Sequence, residues 1–176
     1  NTKRADKLSK KEVSLIFKNQ RKEFGRKIKP DKDDFAKNTN YFLIKNNNKL
    51  VAFGFLREVQ ITYLNKKYNI LGLGSGIAIE KNKGYGILLM ALRIAYIKSR
   101  HKTGLGFCAR KNFNLFRRFG LKGKKNFIKR FEYQYAKTKE DRFDNSGDGI
   151  YTEGKDKLIS KMISNKRRAL INIPFW

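Results

Sequence analysis

A chain of 176 residues is long enough to bury the core of one domain. Apolar residues make up 40% and aromatics 13%, more than a disordered chain carries, while 42 Lys and Arg against 15 Asp and Glu leave a net charge of +27. That charge excludes a polycationic partner unless a local acidic patch overrides it, and it draws in anionic ligands, nucleic acids or anionic surfaces.

Cys108 and His101 are each alone, so an intramolecular disulfide, a thiolate metal cluster and a Cys/His zinc site are all excluded, and no metal is expected. No apolar run approaches the roughly 20 residues of a membrane span. A soluble, cytoplasmic protein with no membrane partner is the expectation.

Residues 1–11 read as a basic, flexible segment without pattern, and residues 12–176 as a single domain. Val13, Ile16, Phe17 and Phe24 fall near helical spacing and predict an amphipathic helix over Glu12 to Arg26. Pro30 followed by Asp31, Asp33 and Asp34 predicts a short second helix with acids in its first turn. Tyr41 to Ile44 and Leu50 to Phe55, joined by Asn46-Asn47-Asn48-Lys49, predict a hairpin whose second strand runs on through Val59, Ile61 and Tyr63. Asn65-Lys66-Lys67 turns into a further strand, Tyr68 to Ile79. Its glycines at 72, 74 and 76 predict a bulge or the close approach of a ligand.

Ile87 to Lys98 is apolar on nearly every side, which predicts a helix buried against a sheet. Gly104 to Ala109 reads as a core strand, and Phe113 to Gly120 as a short helix. Phe131, Tyr133 and Tyr135 alternate with polar residues as in a packed strand. The acidic, glycine-containing stretch Glu140 to Asp156 reads as an exposed loop. A last helix over Lys157 to Lys166 leads to a terminal strand, Ala169 to Ile173. The class is α/β (α+β), with a mixed, mostly antiparallel central sheet flanked by helices.

The informative local feature is a strand, a basic glycine turn and an apolar helix over Ile77 to Ile97. A helix start leaves N–H groups unpaired and carries a partial positive charge, so it suits a phosphate. Glycines at 84 and 86 let the backbone approach an anion, and Lys81 and Lys83 add full charges. The turn is not a Walker motif, because Ile87 follows Gly86, nor a G-x-G-x-x-G fingerprint, because position 89 is Leu.

The order of hairpin, long strand, KNKGYG, apolar helix, short strand and then FRRFGL (Phe116 to Leu121) resembles the GNAT N-acetyltransferases. In that family an Arg/Gln-x-x-Gly-x-Gly/Ala turn at a helix start binds the pyrophosphate of acetyl-CoA, and a bulged strand before it hydrogen-bonds the pantetheine. The resemblance therefore implies a GNAT-like domain with acetyl-CoA as cosubstrate and no metal. Its cofactor contacts would be Ile77, Ala78 and Ile79 on the strand, then Lys81, Asn82, Lys83, Gly84, Tyr85, Gly86 and Ile87 at the turn. Asn112 or Asn114 would lie near the pantetheine, unless they serve as helix caps.

The first motif position is Lys81, which keeps charge without the planar fork of arginine. The family's tyrosine, which protonates the leaving thiolate, is matched by Phe116, and a phenyl ring donates no proton. Tyr133, Tyr85, Cys108 or water would have to replace it. Glu58, in the middle of the long strand, is the candidate base for the amine proton, with Glu80 beside the turn as another. The terminal IPFW is similar to the Pro-Trp ending of members that acetylate small amines, so a carboxylate at Trp176 is a further candidate. The resemblance implies transfer of an acetyl group to a primary amine of a small molecule, with a homodimer as a possible state. The alternatives are an RNA-interacting protein, an acetyltransferase for an RNA-borne or protein amine, and a catalytically silent CoA-binding regulator.

Overall fold

A computed structural model describes residues 1–25, 35–133 and 147–173. The helix expected after Pro30, Tyr135, the acidic residues 140–146 and Trp176 lie outside the described residues. Ser9 opens α1 (Lys10–Phe24) with a reciprocal cap: its Oγ accepts from the Glu12 N–H at 3.2 Å, while the Glu12 carboxylate accepts from the Ser9 N–H at 2.9 Å. Gly25, at φ 107, closes the helix.

The fold is mixed α/β with a mostly antiparallel sheet, and the chain divides into two compact units, residues 1–57 with 74–93 and residues 58–73 with 94–176. In the first unit β1 (Thr2–Arg4) pairs antiparallel with β2 (Thr39–Asn46), so part of the N-terminal stretch read as patternless is an edge strand. Three polar residues carry no alternation to reveal it. β2 pairs antiparallel with β3 (Lys49–Tyr63) through a turn at Asn47 and Asn48, at φ 46 and 61, which is the left-handed geometry tight hairpins need. A second such turn, at Leu64 and Asn65, leads from β3 into β4 (Lys66–Ala78), one residue earlier than the sequence suggested. Ile16, Tyr41, Leu43, Val51, Phe53, Phe55 and Ile77 form the core of this unit, with the Tyr41 and Phe55 rings 5.4 Å apart.

In the second unit β5 (Gly104–Cys108) runs parallel to β4 at Leu71↔Gly104 and Gly72↔Leu105. Its other edge pairs antiparallel with β8 (Asp148–Thr152), which also takes β6 (Lys122–Lys124). β8 corrects the expectation of an exposed loop up to Asp156. Its Ile150 and Tyr151 are buried, and the glycines of the stretch make room for close neighbours: a Cβ on Gly149 would lie 2.7 Å from Phe127, and one on Gly154 would lie 2.4 Å from the backbone of Lys102. β9 (Ala169–Ile171) pairs with β3 at Ile61 and Thr62 and with β7 (Phe131–Tyr133). α4 (Leu158–Ser164) packs Leu158, Ile159 and Met162 into a core with Val59, Ile61, Tyr63, Phe127 and Phe131.

α2 (Tyr85–Ser99) corrects a second expectation. It is not buried on nearly every side: Ile87, Leu88 and Leu92 are 56%, 48% and 43% exposed, while the one arginine among them, Arg93, is buried. Leu89, Met90, Ile94 and Ile97 face in as expected, but three apolar side chains face out and Arg93 shares the inward face.

Candidate cofactor site

The turn before α2 lies in the first unit. At the end of β4 the N–H groups of Ile79 and Glu80 both donate to the Val51 carbonyl, at 2.8 and 3.3 Å, which anchors the strand where it leaves the sheet. Asn82 at φ 59 and Gly84 at φ 77 then reverse the chain. The first helical bond runs from the Leu88 N–H to the Gly84 carbonyl at 3.0 Å. The N–H groups of Tyr85, Gly86 and Ile87 are therefore left without an intrahelical acceptor. No acid occupies the first turn of α2, so its positive end is not neutralised from within.

Gly84 and Gly86 play different parts. Gly84 holds a left-handed backbone, and a Cβ there would meet nothing within 4 Å, so the space beside it is open. Gly86 has no such conformational need; a Cβ there would sit at an ordinary 3.6 Å from the Ala78 Cβ. Lys81 Nζ is engaged by Glu23 at 2.9 Å, in an exposed pair worth little in water, whereas Lys83 is exposed. The Tyr85 hydroxyl accepts from Asn46 Nδ2 at 3.0 Å. Ile77 is buried, Ala78 and Ile79 half-buried.

Sequence reasoning missed what shapes the strand before this turn. Ser75 stands at φ 36, flanked by Gly74 and Gly76. A Cβ on Gly74 would strike the Phe55 ring at 2.1 Å, but one on Gly76 would come to 3.0 Å from Arg93 Nη1. In an unbroken strand positions 74 and 76 share a face. Here Gly76 shares the Arg93 side with Gly54, whose Cβ would lie 3.1 Å from the same nitrogen, so β4 is bulged at Ser75. The approach that the glycines signalled is made by the protein itself, by a phenyl ring and a guanidinium. Burial lowers the Arg93 pKa to about 9, which leaves it charged at neutral pH.

The remaining expected residues lie in the second unit. Glu58 is exposed and accepts from Lys102 Nζ at 3.0 Å. Phe116 is half-buried on α3 (Phe113–Arg117), and its carbonyl accepts from the N–H groups of Phe119 and Leu121. Asn112 precedes α3 without a side-chain capping bond, and Asn114 is exposed. Tyr133 pairs with Ile171 through its backbone. Burial raises the Cys108 thiol to about 11, helped by the Asp148 carboxylate, so it is a protonated thiol at neutral pH. In the first unit, Glu80 is paired with Lys49 at 3.1 Å.

No family model and no curated protein matches the sequence. Among solved structures the chain is similar to ElaA of Escherichia coli, at 15% identity and a TM-score of 0.63, over 87% of this chain and 97% of that one. It is similar to an acyl-CoA N-acyltransferase from Pseudomonas aeruginosa, at 15% identity and a TM-score of 0.58, over 86% of this chain and 95% of that one. A third likeness is to the N-acetylglutamate synthase of Neisseria gonorrhoeae complexed with coenzyme A and N-acetyl-glutamate. It has 8% identity and a TM-score of 0.54, over 86% of this chain and 34% of that one. The fold is that of the GNAT N-acetyltransferases.

Proposed function

We propose that this protein transfers an acetyl group from acetyl-CoA to a primary amine, most simply that of a small molecule. The observation that carries the proposal is the start of α2. Unpaired N–H groups of Tyr85, Gly86 and Ile87 stand beside the open face of Gly84, at the end of a bulged strand, on a GNAT fold. A diphosphate would accept from those N–H groups, favoured by the helix dipole and by Lys83. The strand end Ile77–Ile79 would align the pantetheine.

In the reaction the amine nitrogen attacks the thioester carbonyl, the C–S bond breaks, and CoA leaves as thiolate. The thioester is already activated, so positioning supplies most of the rate. A base must accept the amine proton, and we assign Glu58 to it. The thiolate must gain a proton, and with phenylalanine at position 116 the donor is another group or water. Phe116 also favours a second reading, a CoA-binding regulator with slow or no transfer.

Calorimetry with acetyl-CoA and with pantetheine separates binding at the turn from binding along the strand. Acetyl-CoA is expected to bind at least about tenfold more tightly, since a helix terminus contributes up to about 2 kcal/mol toward an anion. Equal affinities would remove the turn from the site. Thiol release in the presence of amines then distinguishes the enzyme from the regulator.

A further inference from the structure

Arg93 is the least expected residue of the first unit. It stands on the inward face of a helix whose other inward residues are apolar, is 2% exposed, and among the described residues has no carboxylate against it. Its Nη2 donates to the Phe55 carbonyl at 2.7 Å and to the Gly74 carbonyl at 2.8 Å, while Nε has no partner. Burying a guanidinium on such terms is unfavourable, and a well-packed apolar residue often replaces a buried charge without loss of stability. The sequence nevertheless clears a place for it. Gly54 and Gly76 are both bare where a Cβ would press on Nη1.

The two carbonyls that Arg93 holds lie at the bulge. Gly74 is the last residue before Ser75, and Phe55 is the neighbour of Gly54 on β3. From the α1 side, buried Gln20 donates through Nε2 to Ser75 Oγ at 3.0 Å. The bulge shifts the side-chain alternation of β4 by one residue, so it decides which backbone and side-chain groups of Ile77, Ala78 and Ile79 face each way.

We propose that Arg93 is a positioning residue: its guanidinium holds the Ser75 bulge in register and so aims the end of β4 and the following turn at the acyl-CoA. This rests on the cofactor reading given above, and it adds the residue that keeps the site in shape without touching the ligand.

Three variants test it: Arg93→Met, Arg93→Lys, and Gly76→Ala, which keeps the arginine but crowds Nη1. Two readouts are taken, hydrogen exchange of the amides of residues 76–80 in the protein without ligand, and acetyl-CoA affinity. Arg93→Met and Gly76→Ala are expected to melt within a few degrees of the parent yet to exchange at 76–80 about tenfold faster. They are also expected to bind acetyl-CoA about tenfold more weakly, a loss of about 1.4 kcal/mol. Arg93→Lys, which can still donate to both carbonyls, is expected to recover part of both losses. Should Arg93→Met fail to fold, Gly76→Ala and Arg93→Lys carry the test. Unchanged exchange at 76–80, or a uniform rise across the whole unit, overturns the proposal, as does unchanged affinity in folded Arg93→Met or Gly76→Ala. If the parent itself does not bind acetyl-CoA, the cofactor reading falls, and the exchange data alone decide whether Arg93 holds the bulge.

Discussion

Gly84 and Gly86 look alike in the sequence and differ in the fold, and the difference dictates which one is mutated. Gly84→Val would force a β-branched residue to φ 77, a strain on the order of 1–3 kcal/mol, so weakened binding there would be confounded with damaged structure. At Gly86 the added Cβ has room, and valine is a better helix former than glycine. Gly86→Val is therefore expected to melt at or slightly above the parent temperature while acetyl-CoA affinity drops at least about tenfold, because the side chain enters the space of the anion. Calorimetry alongside thermal melting checks both halves.

Phe116 invites the reverse experiment. General acid assistance is worth about 100- to 10,000-fold, so an enzyme running without it keeps slow turnover. Phe116→Tyr adds one hydroxyl to a half-buried ring and is expected to raise the rate of thiol release on a good acceptor. If turnover stays flat and instead collapses in Tyr133→Phe or Cys108→Ser, the proton comes from that side chain. Cys108 has the right form for a donor, since its thiol stays protonated until about pH 11.

At the scale of elements, the alternating strands and the glycine turn were legible because each is a local pattern: Val59, Ile61 and Tyr63 announce β3, and Gly84 announces the start of α2. What stayed hidden depends on residues far apart in sequence. β8 is written in Asp, Gly and Thr around Ile150 and Tyr151, a composition shared with loops. The role of Arg93 needs Gly54, thirty-nine positions earlier, to be seen beside it. β1 is short and charged, and what ties it down is Glu12 on α1. The Glu12 carboxylate takes Lys3 from β1 at 3.0 Å, Lys45 from β2 at 3.1 Å and the Ser9 N–H at 2.9 Å. Burial alone would raise its pKa, but those bonds outweigh it and bring it from 4.5 to about 2. A carboxyl whose folded pKa is depressed adds stability that is present above about pH 4.5 and is lost as pH falls through about 2. At about 1.4 kcal/mol per unit, the contribution at neutral pH is on the order of 3 kcal/mol. The difference in unfolding free energy between the parent and Glu12→Gln is expected to be largest above about pH 5 and to shrink steadily toward pH 2. A difference that does not change with pH would mean that the ion pairs add nothing beyond packing.

Over the whole molecule the question is what a net charge of +27 is for. The carboxylates of the described part of the acidic stretch each have a partner within the fold. Asp148 takes Arg110 and the Asn126 N–H, Glu153 takes the N–H groups of Ile159 and Ser160, and Asp156 takes Thr103 Oγ1 and the Leu158 N–H. These carboxylates are tied into the fold, and with a net charge of +27 an anionic polymer remains the rival to a small cofactor. A charge-removal variant distinguishes them if it spares structural cations. Lys161 is unsuitable because its Nζ donates to the Asp156 carbonyl and lies 5.3 Å from the Tyr68 ring, and Arg168 because it bridges Glu132. Lys122, Lys129, Lys166 and Arg167 are exposed and suit the test. With these four changed to Gln, acetyl-CoA affinity is expected to stay within about twofold in moderate salt, where exposed charges beyond about 8–10 Å are screened. Binding of mixed tRNA, followed by anisotropy at two salt concentrations, is expected to be weak and steeply salt-dependent in both proteins, as when only phosphates are bound. Nucleic acid would become the partner that the charge serves if the parent bound at micromolar concentration in physiological salt and the variant had a shallower salt slope. The slope should fall by about 0.7–0.9 for each phosphate that the variant leaves unneutralised.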